Sequence, residues 1–174
     1  MENVEKRLKL KPKIGKNTFI AKNAIILGDV TIEDNVSIWY NVVIRGDVNY
    51  IKIGKDSNIQ DGAIIHVTKD KFPTEIGERV TIAHSVTLHG CKIKDDCLIG
   101  IGAIIMDNSV IGKNSLVAAG AVVPPNKNYP ENSLIVGNPA KVVRELTDKD
   151  LEMIRSNAAR YLSYKDIYLK LNID

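Results

Sequence analysis

The stretch IGKNTFIAKNAIILGDVTIEDNVSIWYNVVI, residues 14–44, carries isoleucine at every sixth position: Ile14, Ile20, Ile26, Ile32, Ile38 and Ile44. After a short insertion the ladder resumes at Ile53, Ile59 and Ile65. A second insertion, around KDKFP, precedes Ile76, Ile82 and Leu88; one residue is then dropped, and the rungs continue through Ile93, Ile99, Ile105, Ile111, Val117 and Val123. Four residues after each rung up to Val117 stands a small or β-branched residue, except Lys69 and Lys92, which fall where the spacing itself breaks. Period six matches no helical face. Short strands with a corner between them satisfy it, because the rung then points inward and the next residue outward. Three strands make a coil of about 18 residues, and coils stack at roughly 4.8 Å. Hexapeptide repeats of this kind mark a parallel β-helix.

The coils are expected at 14–31, 32–52, 53–75, 76–92, 93–110 and 111–128, with the pattern ending at Pro124, Pro125 and Pro130. From Thr147 the period changes. Thr147 is a natural N-cap, followed by Asp148 and Asp150 in the first turn. Leu151, Ile154, Ala158, Tyr161, Leu162, Lys165, Tyr168 and Leu169 then fit an amphipathic helix. The expected division is a β-helix with an N-terminal lead-in over 1–146, and a C-terminal helix over 147–174 packed on it or on a neighbouring subunit. The lead-in, MENVEKRLKLKPK, is expected to be unstructured and has no signal-peptide pattern.

With 174 residues, 44% hydrophobic and 26% charged, the chain has the composition of a globular domain. Aromatics are only 5%, so the core rests on Ile and Val. The net charge of +3 comes from scattered lysines without an aromatic-studded basic stripe, which argues against nucleic acid. No apolar run suits a membrane span. Two cysteines, Cys91 and Cys97, are too few for a disulfide framework and suggest a reducing, cytoplasmic setting. Trp39, just after rung Ile38, is expected on the surface or at an interface.

The chain has three histidines, His66, His84 and His89. Coil counting places His66 and His89 after third-strand rungs in successive coils, one above the other and facing outward, with Arg45 one coil below. His84 lies two residues past Ile82 on the second strand, above Asp61, which holds the same place past Ile59. Five extended residues separate His84 from His89, up to roughly 16 Å with a corner between. His66 and His89 of one chain can therefore share a metal, and His84 reaches it from another copy. That contact is heterologous and closes most simply as a trimer, and it also brings Asp61 of one copy near Arg45 of the next. Three imidazoles with an open fourth position are the ligand set of a hydrolytic zinc site.

RGDVNYIKIG (45–54), SNIQDGAIIHVT (57–68), VTIAHSVTLHGCKI (80–93) and LIGIGAIIMD (98–107), with the H-x17-H-x4-H spacing, resemble the γ-class carbonic anhydrase family. The resemblance implies an all-β left-handed parallel β-helix of hexapeptide repeats with a C-terminal α-helix. It implies a homotrimer whose metal ligands are His66, His84 and His89, with His84 supplied by the adjacent subunit. The metal would be Zn2+, with Fe2+ or Co2+ also met in the family. The activity implied is hydration of carbon dioxide to bicarbonate by a metal-bound hydroxide. Arg45 and Asp61 match an intersubunit ion pair, and Asp47, Asn58 and Gln60 match residues near the site. Gln60 is then expected to orient the nucleophile, Asn58 to place substrate, and Tyr161 (or nearby Tyr164) to approach the pocket. The sequence departs from the family's best-established members in its acids. Val48 stands where a proton-accepting glutamate is found in them, and the second insertion is short, with Asp70 and Glu75 as its acids. Hydration is therefore expected to be slow or absent.

Two other function classes fit the same ladder. One is a CoA-dependent hexapeptide-repeat acyltransferase, or a metal-dependent thioesterase acting on CoA substrates. The other is a non-catalytic scaffold in which metal only clamps the trimer. An acyltransferase needs one histidine as base and has no reason to stack His66 over His89.

Overall fold

The computed structural model of the chain describes residues 2–173. Its strands stack in parallel into three ladders. The first face aligns Ile14, Ile32, Ile53, Ile76, Ile93, Ile111 and Tyr129 in register. The second aligns Ile20, Ile38, Ile59, Ile82, Ile99, Val117 and Ile135. The third aligns Ile26, Ile44, Ile65, Leu88, Ile105 and Val123. Rungs from Ile32 to Val123 are 0–3% exposed and form one continuous core. The architecture is a parallel-strand β-solenoid of about seven turns closed by a C-terminal helix, that of the hexapeptide-repeat left-handed β-helix.

The solenoid runs one coil further than the ladder predicts. Tyr129 and Ile135 are rungs of that coil, and its last strand, Ser133–Gly137, pairs antiparallel with Ala140–Glu145. An aromatic is tolerated at Tyr129 because its hydroxyl donates to the Ala140 carbonyl at 2.8 Å. The lead-in also differs from expectation. It forms a short helix, α1 (Glu2–Leu8), whose Arg7 pairs with Asp29 at 2.5 Å.

The left-handed corners explain the small residue that follows most rungs by four. The residue before it adopts left-handed backbone, and asparagine tolerates that region better than most residues. Asn17, Asn35, Asn41, Asn108, Asn114, Asn126 and Asn132 all sit there with φ of 53–60°. Several stack coil on coil: Asn17 donates to Asn35 (2.9 Å), Asn23 to Asn41 (2.8 Å) and Asn108 to Asn126 (2.9 Å). Arg79 takes the same corner at φ 54° and grips Asp96, the corner residue one coil on, through two bonds of 2.7 and 3.0 Å. The hydrogen bonds from Arg79 hold the Asp96 carboxyl below the usual aspartate range, against the upward push of burial. A depressed carboxyl stabilises the fold above its unfolded pKa, and that contribution disappears as pH falls through the folded value. Asp96→Asn is thus expected to lower stability by about 1 kcal/mol or less near neutrality, since Arg79 is screened by solvent. Urea midpoints of variant and parent should draw together as pH is lowered below the ordinary aspartate range; a gap that stays constant through that fall would contradict the linkage.

The long helix α2 (Asp148–Leu171) starts at Thr147 in a reciprocal capping box with Asp150. It lies across the lower coils of the second face and buries Ile154, Ala158 and Lys165. Trp39, expected on the surface or at an interface, is only 5% exposed. It stands edge-on to Tyr161 and Tyr168, at 5.5 and 4.9 Å between ring centroids, in a cluster with Phe19. No described helix is long and apolar enough to cross a membrane. Cys91 and Cys97 are free and buried, and burial pushes both thiols up to about 12.

Candidate metal centre

The third-face ladder pairs His66 with His89 in register, and the second-face ladder stacks Ile59 under Ile82, two residues before Asp61 and His84. Both columns read from the sequence are therefore present. Each of the three rings is backed by its own aspartate. His66 Nε2 meets Asp47 Oδ1 at 2.9 Å, His89 Nδ1 meets Asp107 Oδ1 at 2.6 Å, and His84 Nδ1 meets Asp61 Oδ2 at 3.0 Å.

These contacts decide what the rings offer. A carboxylate accepts only, so the imidazole nitrogen facing it is the one that carries hydrogen, and the other nitrogen of the neutral ring keeps its lone pair. The free nitrogens are then His66 Nδ1, His89 Nε2 and His84 Nε2. The first two face each other at 3.1 Å. Two lone pairs at that distance need a proton or a cation beside them. Carboxylates behind ligating imidazoles fix the tautomer and raise ligand basicity. The donor set thus fits a divalent cation of zinc type. Among the described residues, no three His, Cys, Asp or Glu side chains of one chain gather into a metal-holding group. Within one chain, His66 and His89 lie together and His84 stands apart.

Arg45 forms an ion pair with Asp47 rather than with Asp61 of the same chain. Burial alone would raise the Asp47 carboxyl, but hydrogen bonds from His66 and Arg45 outweigh it and hold the group below its ordinary value. Asn58 and Gln60 are buried beside each other on the second face. Gln60 donates to Asn58 at 3.0 Å and Asn58 to Thr81 at 2.9 Å, so the Gln60 amide is held in one orientation. Gln60, His84 and Ile101 line a groove of about 420 Å³ together with Met153, Arg160 and Tyr161 of α2. Tyr161, not Tyr164, is the tyrosine at that groove. Burial, and then the charge of Asp61, pushes its hydroxyl above the ordinary value. Val48 is partly buried against the core, as its inward position predicts. Glu75 is engaged by Tyr50 at 2.6 Å and Lys92 at 3.0 Å.

Sequence reading missed Asp107 and Thr68. Thr68 belongs to the second insertion, a tight turn closed by a bridge between Thr68 and Phe72. Its hydroxyl donates to Asp107 at 2.7 Å. The register pairs Leu88 with Ile105 and so sets Met106, not Asp107, one coil beyond His89; the column by itself does not point to Asp107.

Comparison with known proteins places the chain among relatives. Residues 11–46 and 90–125 match the family described as bacterial transferase hexapeptide (six repeats). A protein named probable carbonic anhydrase from Methanocaldococcus jannaschii is 50% identical over 88% of this chain and 96% of its own length. Gamma carbonic anhydrase 2, mitochondrial, from Arabidopsis thaliana is 41% identical over 92% of this chain, which spans only 60% of that protein. A solved structure titled putative acetyltransferase, from Bacillus cereus, superposes with a TM-score of 0.91 at 41% identity and 94% coverage of both chains. Ladder, histidine columns and identity over nearly the full length agree: the chain belongs to the γ-class carbonic anhydrase family of hexapeptide-repeat proteins.

Proposed function

We propose that the protein hydrates carbon dioxide to bicarbonate at metal sites shared between the subunits of a cytoplasmic homotrimer. The observation that carries this reading is the three carboxylate-backed histidines, each left with one lone-pair nitrogen. His66 Nδ1 and His89 Nε2 of one subunit, with His84 Nε2 of the next, would hold Zn2+, or Fe2+ or Co2+ in its place. A bound cation of this kind supplies the Lewis acidity that makes hydroxide available near neutral pH. Gln60, clamped by Asn58, orients the attacking oxygen by hydrogen bonding. Tyr161 and the apolar groove wall restrict water around the reacting carbon.

The assembly has its own support. Ile25, Ile64 and Ile104 are 52%, 48% and 36% exposed and lie in one third-face column beside the histidines. Such an apolar stripe on a solenoid face suits contact with another copy. The first face instead carries Lys52, Glu75 and Lys92, which suit solvent. Arg45 and Asp61, both about 40% exposed at their side chains, would pair across the contact.

The proton released in hydration needs an acceptor. Val48 offers none, and Glu75 is engaged by Tyr50 and Lys92. Turnover is therefore expected to be slow in a non-accepting buffer and to rise severalfold with imidazole. Stopped-flow hydration by anaerobically purified protein, with its metal content measured, tests this. Undetectable hydration in a fully metallated trimer, with imidazole present, would end the carbonic anhydrase reading.

One observation favours a second reading, CoA-dependent acyl transfer: the likeness to a Bacillus cereus structure titled putative acetyltransferase. Acyl transfer by this chain should survive complete metal removal. A CoA thioesterase would keep the metal and change the substrate, and a scaffold would bind metal without turnover.

A further inference from the structure

We propose that Asp107, steadied by Thr68, is the positioning residue that presents His89 to the metal, so that the short insertion preceding Ile76 serves the site. The inference rests on the three-histidine reading above and adds to it two residues from separate coils. Asp107 Oδ1 receives two donors, His89 Nδ1 at 2.6 Å and Thr68 Oγ1 at 2.7 Å. The first bond sets the tautomer and rotation of the ring, turning Nε2 toward His66 Nδ1 at 3.1 Å. The second holds the carboxylate where the ring needs it.

Thr68 is itself fixed. Its N–H donates to the Phe72 carbonyl at 2.9 Å, and its carbonyl accepts from Asn49 Nδ2 at 3.1 Å. The tight turn of residues 68–72 is thereby tied to the insertion before it. The space for the carboxylate is also built in. A Cβ on Gly90, the residue after His89, would lie 2.4 Å from Asp107 Oδ1 and 3.1 Å from Thr68 Oγ1. Gly90 also has φ of +56°, which a side chain would strain. A loop tether, a missing side chain and a carboxylate from the next coil thus converge on one ring nitrogen. His66 has an analogous arrangement, with Asp47 behind the ring and Arg45 behind Asp47. Both members of the stacked pair are held from behind, by chemically different anchors.

Removing a carboxylate behind a ligating imidazole typically weakens metal binding about ten- to hundredfold. Asp107→Ala and Thr68→Val should each lower zinc affinity, read by competition with a chelating dye, the first by about ten- to hundredfold and the second by less. Thr68→Ser keeps the hydroxyl and should restore parental affinity. The cobalt-substituted protein supplies a readout that bulk stability does not move, because its ligand-field bands should shift in Asp107→Ala and in Thr68→Val and match the parental spectrum in Thr68→Ser. Parental affinity and spectrum in both Asp107→Ala and Thr68→Val would overturn the role of Asp107 while leaving the three-histidine site in place. Failure of the parent protein to bind zinc or cobalt would overturn both.

Discussion

Two variants that bind no metal on their own are expected to regain it when produced together. The first, His84→Ala, keeps the stacked pair His66 and His89 and lacks the third ring. The second, His66→Ala with His89→Ala, keeps only His84. A trimer made of either alone has no complete site. In a mixed ring, one of the three junctions sets an intact pair beside an intact His84, whichever variant is in the majority. Random assembly from equal amounts leaves about three quarters of rings mixed, so about one quarter of parental metal content and hydration should return. A site built within one chain predicts no return, because neither variant chain carries three rings. The geometry favours sharing: His66 and His89 pair in register on the third face, and His84 sits with Asp61 on the second. Separate affinity tags on the two variants allow mixed trimers to be isolated and their metal counted. Metal at background level in those trimers would refute the shared site.

The rungs were legible in the sequence because an inward column with a six-residue period accepts little besides aliphatic side chains. Counting them also fixed which outward residues share a column, and the structure pairs His66 with His89 as that count requires. Three features escaped, each for a physical reason. The last coil was hidden because Tyr129 replaces an aliphatic rung, and its acceptability depends on the Ala140 carbonyl eleven residues away. Trp39 read as surface or interface because residues after rungs point outward; its burial within the chain is a property of α2, more than a hundred residues downstream. Asp107 was missed because its partner, Thr68, leaves the ladder in an insertion, and spacing carries no register through an insertion. What lies inside the coils is local and periodic, whereas what lies on their outer faces depends on the elements that fold back over them.

Leu88→Ala should cost about 2–5 kcal/mol of stability, the usual range for emptying a buried leucine site. Leu88 is 0% exposed and stacks between Ile65 and Ile105. In a chain of this size each kcal/mol moves the melting temperature by about 2–4 °C, which gives a fall of about 4–20 °C. The comparison should use metal-free proteins, since a ligand bound only by the folded form raises the transition. Ile111→Ala is the instructive partner, because Ile111 is equally buried but stacks between Ile93 and Tyr129 on the first face. In a solenoid each coil contacts only its neighbours, so a packing defect stays local. Both variants should therefore lose similar stability, while only Leu88→Ala should lose zinc affinity, because Leu88 directly precedes His89 and supports the coil that aims it. Leu88→Met, which conserves volume, should cost less than about 1.5 kcal/mol and keep the affinity. Equal zinc affinities in Leu88→Ala and Ile111→Ala would show that the rung beneath a ligand does not set its position. The ladder would then be only a scaffold, with the aspartates behind the rings doing all of the aiming.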